Sequence, residues 1–370
     1  MPLSDNNTQA FLALVRAGLW EREVRLLSFN DIDFSQVQEL AEEHSVVGLV
    51  TAGLEHVVDV KPPTEEVLQF VGQTLLVEQQ NIAMNDFIGV IVDKMRNAGI
   101  YTVLVKGQEI AQCYERPPWR ASGDVDFLLS QDDYEKAKAF LFPLAECVEP
   151  ESGKHLGMTI DSWAVELHGN LHGGLSTKMD RVIDEVQDDV FYRGNVRSWM
   201  NGKNTVYLPS VDNDVIFIFT HFLKHFYKGG LGLRQICDWC RLLWVYRDSI
   251  DTRLLEKRLR DAGLVSEWKA FGAFAVDHLG MPIEAMPLYD ASECWKRKAQ
   301  RIRQFILMCG NFGHNRDNSF SKRPYLIRKA YSMGRRVGDA ANHARIFPLD
   351  SMRFLPRIFI NGVRSAIRGE

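Results

Sequence analysis

Long apolar runs are the first thing this 370-residue chain lacks. No stretch approaches the roughly 18 consecutive apolar residues of a membrane span, so a membrane-spanning helix is excluded. The N-terminus, MPLSDNNTQAFLALVRAGLW, has no basic region followed by an apolar core and a small-residue cleavage site. A cytoplasmic address is the expectation. Cysteine is sparse, six residues without a spacing framework, which reads as free thiols rather than disulfides. Cys237 and Cys240 are spaced C-x-x-C, but they lie in a helical pattern with Trp239 and Trp244 and lack a second pair, so both read as core residues. There is no internal repeat and no low-complexity tract. What remains is a 46% apolar chain, long enough for a sizeable core and two or three units.

Charge of one sign is scarce only locally. The net charge is −4, yet from Lys296 onward 17 Lys and Arg face four acids, while the preceding residues hold 27 basic against 44 acidic side chains, a net of −17. An acidic body suits a phosphate backbone poorly, so nucleic acid is the least expected partner. The basic tail, FPLDSMRFLPRIFINGVRSAIRG, interleaves apolar residues with Arg353, Arg357, Arg364 and Arg368. Two partners fit it: an anionic membrane, touched peripherally, or the acidic body of the same protein. Pro356 is expected to interrupt any single long helix there, which favours docking onto the body.

Residues 8 to about 95 repeat apolar positions at helical spacing throughout, as in TQAFLALVRAGLW and DFSQVQELAEEHSVVGLVTAGLEHV. The pattern changes after Gly99. IYTVLV reads as a short buried strand, QEIAQCYE as a helix stopped by Pro117 and Pro118, GDVDFLL as a strand and QDDYEKAKAFLFPLA as a helix. SWAVELHG and NTVYLP read as further strands. This alternation predicts a small α/β unit over 96–210. Helices return with SVDNDVIFIFTHFLKHFY, LRQICDWCRLLWVYRD and TRLLEKRLRDAG. Pro324, Pro348 and Pro356 are expected to cut the last stretch into short pieces.

The chemistry concentrates in that α/β unit. Residues two apart in a strand share a face, roughly 6–7 Å apart, so Asp124 and Asp126 converge while Val125 and Phe127 point away. Two carboxylates so close repel unless they share a proton or hold a divalent cation, and Mg²⁺ takes one or two carboxylates plus substrate phosphates. A D-x-D pair alone is as often a solvated turn. Glu166 adds a third acid, on the opposite face of its strand from Trp163, Val165 and Leu167, and is costly there unless paired or metal-bound. If the two strands are neighbours, three carboxylates form one cluster suited to a pair of metals. Lys106 and Gly107 sit where a strand turns into a helix, a place where backbone N–H groups approach a phosphate and a lysine neutralises it. Arg116 and Arg120 precede the acid pair and either reach a triphosphate or remain loop arginines. His168 shares the face of Glu166. His221 and His225 are spaced i, i+4, a zinc-compatible spacing without a third ligand in sight. With Lys224, Lys228, Arg234 and Asp238 they also define a polar helical face that would close over a nucleotide.

The succession LVKG, a helix, R-x-x-GDVDFLL and VELH resembles the nucleotidyltransferases of the DNA polymerase β superfamily, and more closely a bacterial branch of uncharacterised nucleotidyltransferases. The likeness spans roughly 10–250 and is most specific between Val103 and His168. It implies an α+β fold: a small mixed-sheet nucleotidyltransferase core over 96–210, flanked by an N-terminal helical region over 1–95 and a C-terminal helical region with a basic tail over 211–370. It also implies that Asp124, Asp126 and Glu166 are the catalytic metal ligands, with two Mg²⁺ ions, and that Gly107 contacts phosphate. Lys106, Arg120, His168, His225 and Arg234 are the further residues expected to bind the nucleotide. Lys106-Gly107-Gln108 departs from the Gly-Ser or Gly-Gly usual in that superfamily. The reaction implied is transfer of a nucleoside monophosphate from an NTP such as ATP to a hydroxyl-type acceptor, a small molecule, saccharide or protein, with release of pyrophosphate. Two other readings stay open, a D-x-D glycosyltransferase using a nucleotide-sugar and a nucleotide-binding module that docks partners without turnover.

Overall fold

A computed structural model of the chain describes residues 5–60, 62–311 and 338–368. Pro324 and the basic residues between 312 and 337 lie outside the described residues, as do the side chains of Ile358, Phe359, Arg364 and Arg368.

Helices come first: α1 (Asp5–Trp20), α2 (Phe34–Glu43), α3 (Val47–Glu55) and the long α4 (Thr64–Asn97). The stretch that reads as one helix through residue 57 divides at Ser45, whose φ of 56° cannot continue a right-handed helix. Acids at Glu65 and Glu66 and bases at Lys94 and Arg96 match the dipole of α4 at its two ends.

The core follows as β1 (Val103–Val105), α5 (Gly107–Ala111), β2 (Asp124–Leu128), α6 (Gln131–Leu141), β3 (Cys147–Val148), β4 (His155–Ile160) and β5 (Trp163–His168). Its five strands lie in the order β1-β2-β5-β4-β3. Only β2 and β5 run parallel; β1 with β2, β4 with β5 and β3 with β4 are antiparallel, so the sheet is mixed. One face buries Val125, Phe127, Val165 and Leu167 against Tyr134 of α6 and Ile88 and Ile91 of α4. Strand alternation then sends every acid of β2 and β5 to the other face.

Three corrections to the sequence reading arise here. Strands β3 and β4 were not expected: β3 is only two residues long, and in β4 Gly157 breaks the apolar pattern of HLGMTI just after Gly153. The β4–β5 turn is Asp161-Ser162, with φ of 48° and 68°, a two-residue turn usually marked by glycine or asparagine. After α7 (Thr177–Phe191), NTVYLP is a strand but not in the main sheet. It is β7 (Asn204–Pro209), paired antiparallel with β6 (Val196–Asn201) as a separate two-stranded sheet. The third concerns the tail. Beyond α8 (Val211–Lys228), α9 (Leu233–Val245), α10 (Thr252–Ala262), α11 (Val265–Leu279) and α12 (Glu293–Cys309) lie α13 (338–346) and α14 (Pro348–Arg368). Pro348 opens α14, and Pro356 lies inside it rather than at a break. Both Pro356 and Met352, one turn before it, are exposed, so solvent meets the carbonyl that the proline leaves without its donor.

Phe347 and Phe354 of this tail are fully buried in the body, Phe354 with its ring 5.0 Å from Tyr227. Arg353 donates to the Ala262 carbonyl at 2.9 Å. Beneath this junction Tyr227 donates its hydroxyl to Glu267 Oε1 at 3.1 Å, while Glu267 Oε2 is buried without a hydrogen-bond partner among the described residues. Burial, reinforced by Asp350, pushes the Glu267 carboxyl up to about 8. An acid raised in this way keeps its proton in the folded protein. Its stability contribution is therefore whole below its unfolded pKa of about 4.3 and declines as pH rises toward 8. Glu267→Gln should melt close to wild type near pH 5 and above it at pH 8.5, the gap widening by on the order of 3 kcal/mol. Thermal melts of both proteins across that range measure it, and parallel curves would contradict a buried neutral carboxyl.

Candidate active site

The parallel register sets Asp126 opposite Glu166 and Asp124 opposite Ala164. Asp124, Asp126 and Glu166 therefore share one face, each offering a carboxylate oxygen within 4.8 Å of the others. Repulsion from Asp126, and then burial, raises the pKa of Asp124. Lys106 is the counter-charge, with Nζ 2.6 Å from Asp126 Oδ1. Burial disfavours its ammonium, but Asp126, Asp124 and Glu166 outweigh that and hold its pKa above the usual value. His168 Nε2 lies 2.7 Å from Asp126 Oδ1 and 3.3 Å from Glu166 Oε2, and His155 Nε2 lies 3.0 Å from the same Glu166 oxygen. Hydrogen bonds from His155 and His168 keep Glu166 well below the usual carboxylate range.

Lys106 reaches this position at a conformational cost, since its φ of 63° is unusual for a residue with a Cβ. A buried network fixes it there. The Lys106 N–H donates to Glu109 Oε2 at 3.0 Å. Glu109 in turn receives a hydrogen bond from Arg197 of β6, which also donates to Asp214 Oδ2 of α8 at 2.7 Å. Gly107 has φ 46°, and a Cβ there would stand 3.3 Å from the Asp124 carbonyl oxygen, so the close pass of α5 over β2 needs glycine. The loop before β2 is tied to α4 by Asn81, which donates to the carbonyls of Pro118 (2.7 Å) and Arg120 (2.8 Å).

The acidic face forms the floor of a cavity of about 810 Å³ whose opposite wall is α8 with the start of α9. Of the residues expected in the site, Lys106, Gly107, Arg120, Asp124, Asp126, Glu166, His168, His225 and Arg234 all line it. Arg120 is buried and grips Asp238 of α9 through Nε (3.0 Å) and Nη2 (2.6 Å). Arg234 donates to the Ala121 carbonyl at 2.6 Å, and burial and then Arg120 lower its pKa. Arg116 turns elsewhere, pairing with Glu55 at 2.6 Å and stacking on Trp119. On α8 the Nε2 atoms of His221 and His225 stand 3.1 Å apart, and burial first lowers both pKa values, His225 to about 3. Burial and nearby Lys106 likewise lower the pKa of Lys224. Both imidazoles are thus neutral near pH 7, and the positive charge of this wall rests on Lys224 of α8 and Arg234 of α9, poorly solvated groups that an anion would relieve.

Two features were not found from sequence. His155 escaped because its strand was not recognised. The Glu109–Arg197–Asp214 network joins residues far apart in the chain, and no local pattern signals it. Three converging carboxylates against a single lysine form a hard oxygen donor set with charge to spare, which fits a divalent cation.

The family described as uncharacterised nucleotidyltransferase matches residues 30–278. No curated protein matches the chain. Among solved structures, an antigenic nucleotidyltransferase-like protein from Paracoccidioides brasiliensis aligns over 54% of this chain and 93% of its own, at 13% identity and a TM-score of 0.33. A likeness that distant carries no argument about activity.

If Lys106 is the counter-ion of the acidic floor, Lys106→Ala should destabilise the metal-free protein by about 3–5 kcal/mol, because it leaves buried carboxylates uncompensated. Added Mg²⁺ should then raise the melting temperature more in the variant than in wild type. Equal metal-induced shifts in the two proteins would remove Lys106 from that role.

Proposed function

The chain belongs to the uncharacterised nucleotidyltransferase family, and from that premise we propose that it transfers a nucleoside monophosphate from an NTP to a hydroxyl-type acceptor, releasing pyrophosphate. The observation that carries this reading is the convergence of Asp124, Asp126 and Glu166 on the floor of a cavity that Lys224 and Arg234 also line. Asp124 and Asp126 would hold the divalent ion, Mg²⁺ being the one that oxygen donors suit. When bound, such an ion neutralises phosphate charge and lowers the pKa of the acceptor hydroxyl.

The remaining work falls to the protein's own side chains. Lys224 and Arg234 face the cavity with depressed pKa values, and a triphosphate restores the charge balance that burial denies them. The turn at Gly107 presents backbone close to Asp124, where a phosphate oxygen would sit. Glu166, kept ionised by two imidazoles, orients the acceptor rather than acting as a strong base, since a carboxylate of such low pKa holds a proton poorly. Catalysis of this kind is positioning and charge neutralisation. The nucleotide-sugar reading draws less support. The D-x-D of that fold follows a parallel βαβ series, whereas here four helices precede β1, and β1 is antiparallel to β2.

The test is incubation with α-labelled ATP, CTP, GTP and UTP in a cell extract, followed through label transfer and pyrophosphate release. Asp124→Asn should abolish transfer while melting at or above the wild-type temperature, because it removes a repelled charge. Glu166→Gln should bind NTP nearly as well and slow the chemical step by two or more orders of magnitude. Nucleotide binding without any pyrophosphate release in wild type would favour the module that docks partners without turnover.

A further inference from the structure

The antiparallel register of β4 and β5 places His155 directly opposite His168. Their rings lie 4.7 Å apart, and both present Nε2 to one atom, Glu166 Oε2, at 3.0 and 3.3 Å. A divalent metal with bonds of about 2.0–2.1 Å holds neighbouring ligand atoms about 2.8–3.0 Å apart in octahedral and about 3.3–3.4 Å apart in tetrahedral geometry. The two measured distances fall in these ranges, and all three donor atoms lie within 4.8 Å of one another. Glu166 also belongs to the carboxylate group with Asp124 and Asp126, so one side chain stands between two donor sets of different chemistry.

We propose that Glu166 bridges two cation seats. One is the oxygen seat of Asp124 and Asp126, which suits Mg²⁺. The other is a nitrogen-bearing seat of His155, Glu166 and His168 that takes a borderline transition-metal ion of the Mn²⁺ or Zn²⁺ class in preference to Mg²⁺. The inference rests on the carboxylate site read above and adds an ion of different kind to it. Imidazole donors favour first-row transition metals, whereas Mg²⁺ demands oxygen and keeps its water. The seat is reachable, since the His155 side chain is 40% exposed and lines the cavity. His168 is buried, and the Nε2 that would ligate the ion lies 2.7 Å from Asp126 Oδ1, so an ion in this seat would take the place of that hydrogen bond.

Mn²⁺ is the suitable probe, because the exposed thiols of Cys147 and Cys294 would compete for Zn²⁺. The full-length protein is loaded with Mn²⁺ in excess Mg²⁺ and examined by pulsed electron paramagnetic resonance for ¹⁴N coupling. The expected spectrum shows Mn²⁺ bound through two imidazole nitrogens. His155→Ala should lose one of them and bind Mn²⁺ at least tenfold more weakly, with Mg²⁺ affinity changed less than about twofold. Mn²⁺ bound without nitrogen coupling would overturn the second seat and leave the carboxylate site standing. Absence of any Mn²⁺ or Mg²⁺ uptake would overturn both. The wild-type spectrum decides between these outcomes even if the variant folds poorly.

Discussion

The structure depends on a concentration of like charge that the parallel pairing of β2 with β5 imposes. Two carboxylates about 4 Å apart repel by roughly 4 kcal/mol at an effective dielectric near 20, and Glu166 adds to that. The opposite face of the same strands offsets it, since Val125, Phe127, Val165 and Leu167 are all buried and each contributes about 1.5–3 kcal/mol. The backbone that packs this apolar face cannot avoid presenting the acids on the other. Lys106 answers with its ammonium, in a backbone conformation that only the Glu109–Arg197–Asp214 network makes tenable. That network reaches from α5 to β6 and α8, so the helical regions are part of how the site is held.

The charge of the cavity differs from the charge of the chain. The residues before Lys296 carry a net of −17, yet α8 presents Lys224 and two imidazoles to the acidic floor. Acid and base are segregated across a poorly solvated gap, where both interact more strongly than in water.

Much of the floor was legible in the sequence because strand periodicity is local. Asp124 and Asp126 in an apolar run, and Glu166 out of phase with Trp163, Val165 and Leu167, declare their faces without tertiary information. Their adjacency was conditional on a strand order that only the fold supplies. His155 was hidden by two glycines and by a turn in which Asp161 and Ser162 take positive φ without being the residues that advertise it. Pro356 misled in the other direction. A proline in a helix loses one hydrogen bond and crowds the carbonyl four residues back, and at Pro356 both fall on the exposed side of α14, where helix and proline coexist.

The tail contributes to the charged lining of the cavity. Arg357 of α14 pairs with Asp180 of α7 at 2.8 Å, and both line the cavity. A pair of opposite charges in contact projects little field, so the lining beside it is close to neutral. Elsewhere in the lining Lys106 is outnumbered by three carboxylates, and Lys224 and Arg234 have lowered pKa values. A charged ligand gains most where charge is least compensated, and a largely uncharged one loses least beside the Arg357–Asp180 pair. The floor, α8 and α9 lie within the family-matched residues 30–278, whereas Arg357 lies beyond them. The docking of Phe347 and Phe354 into the core, together with the Arg353 and Arg357 contacts, brings the tail to the cavity, so apolar and charged side chains both fix where this wall stands.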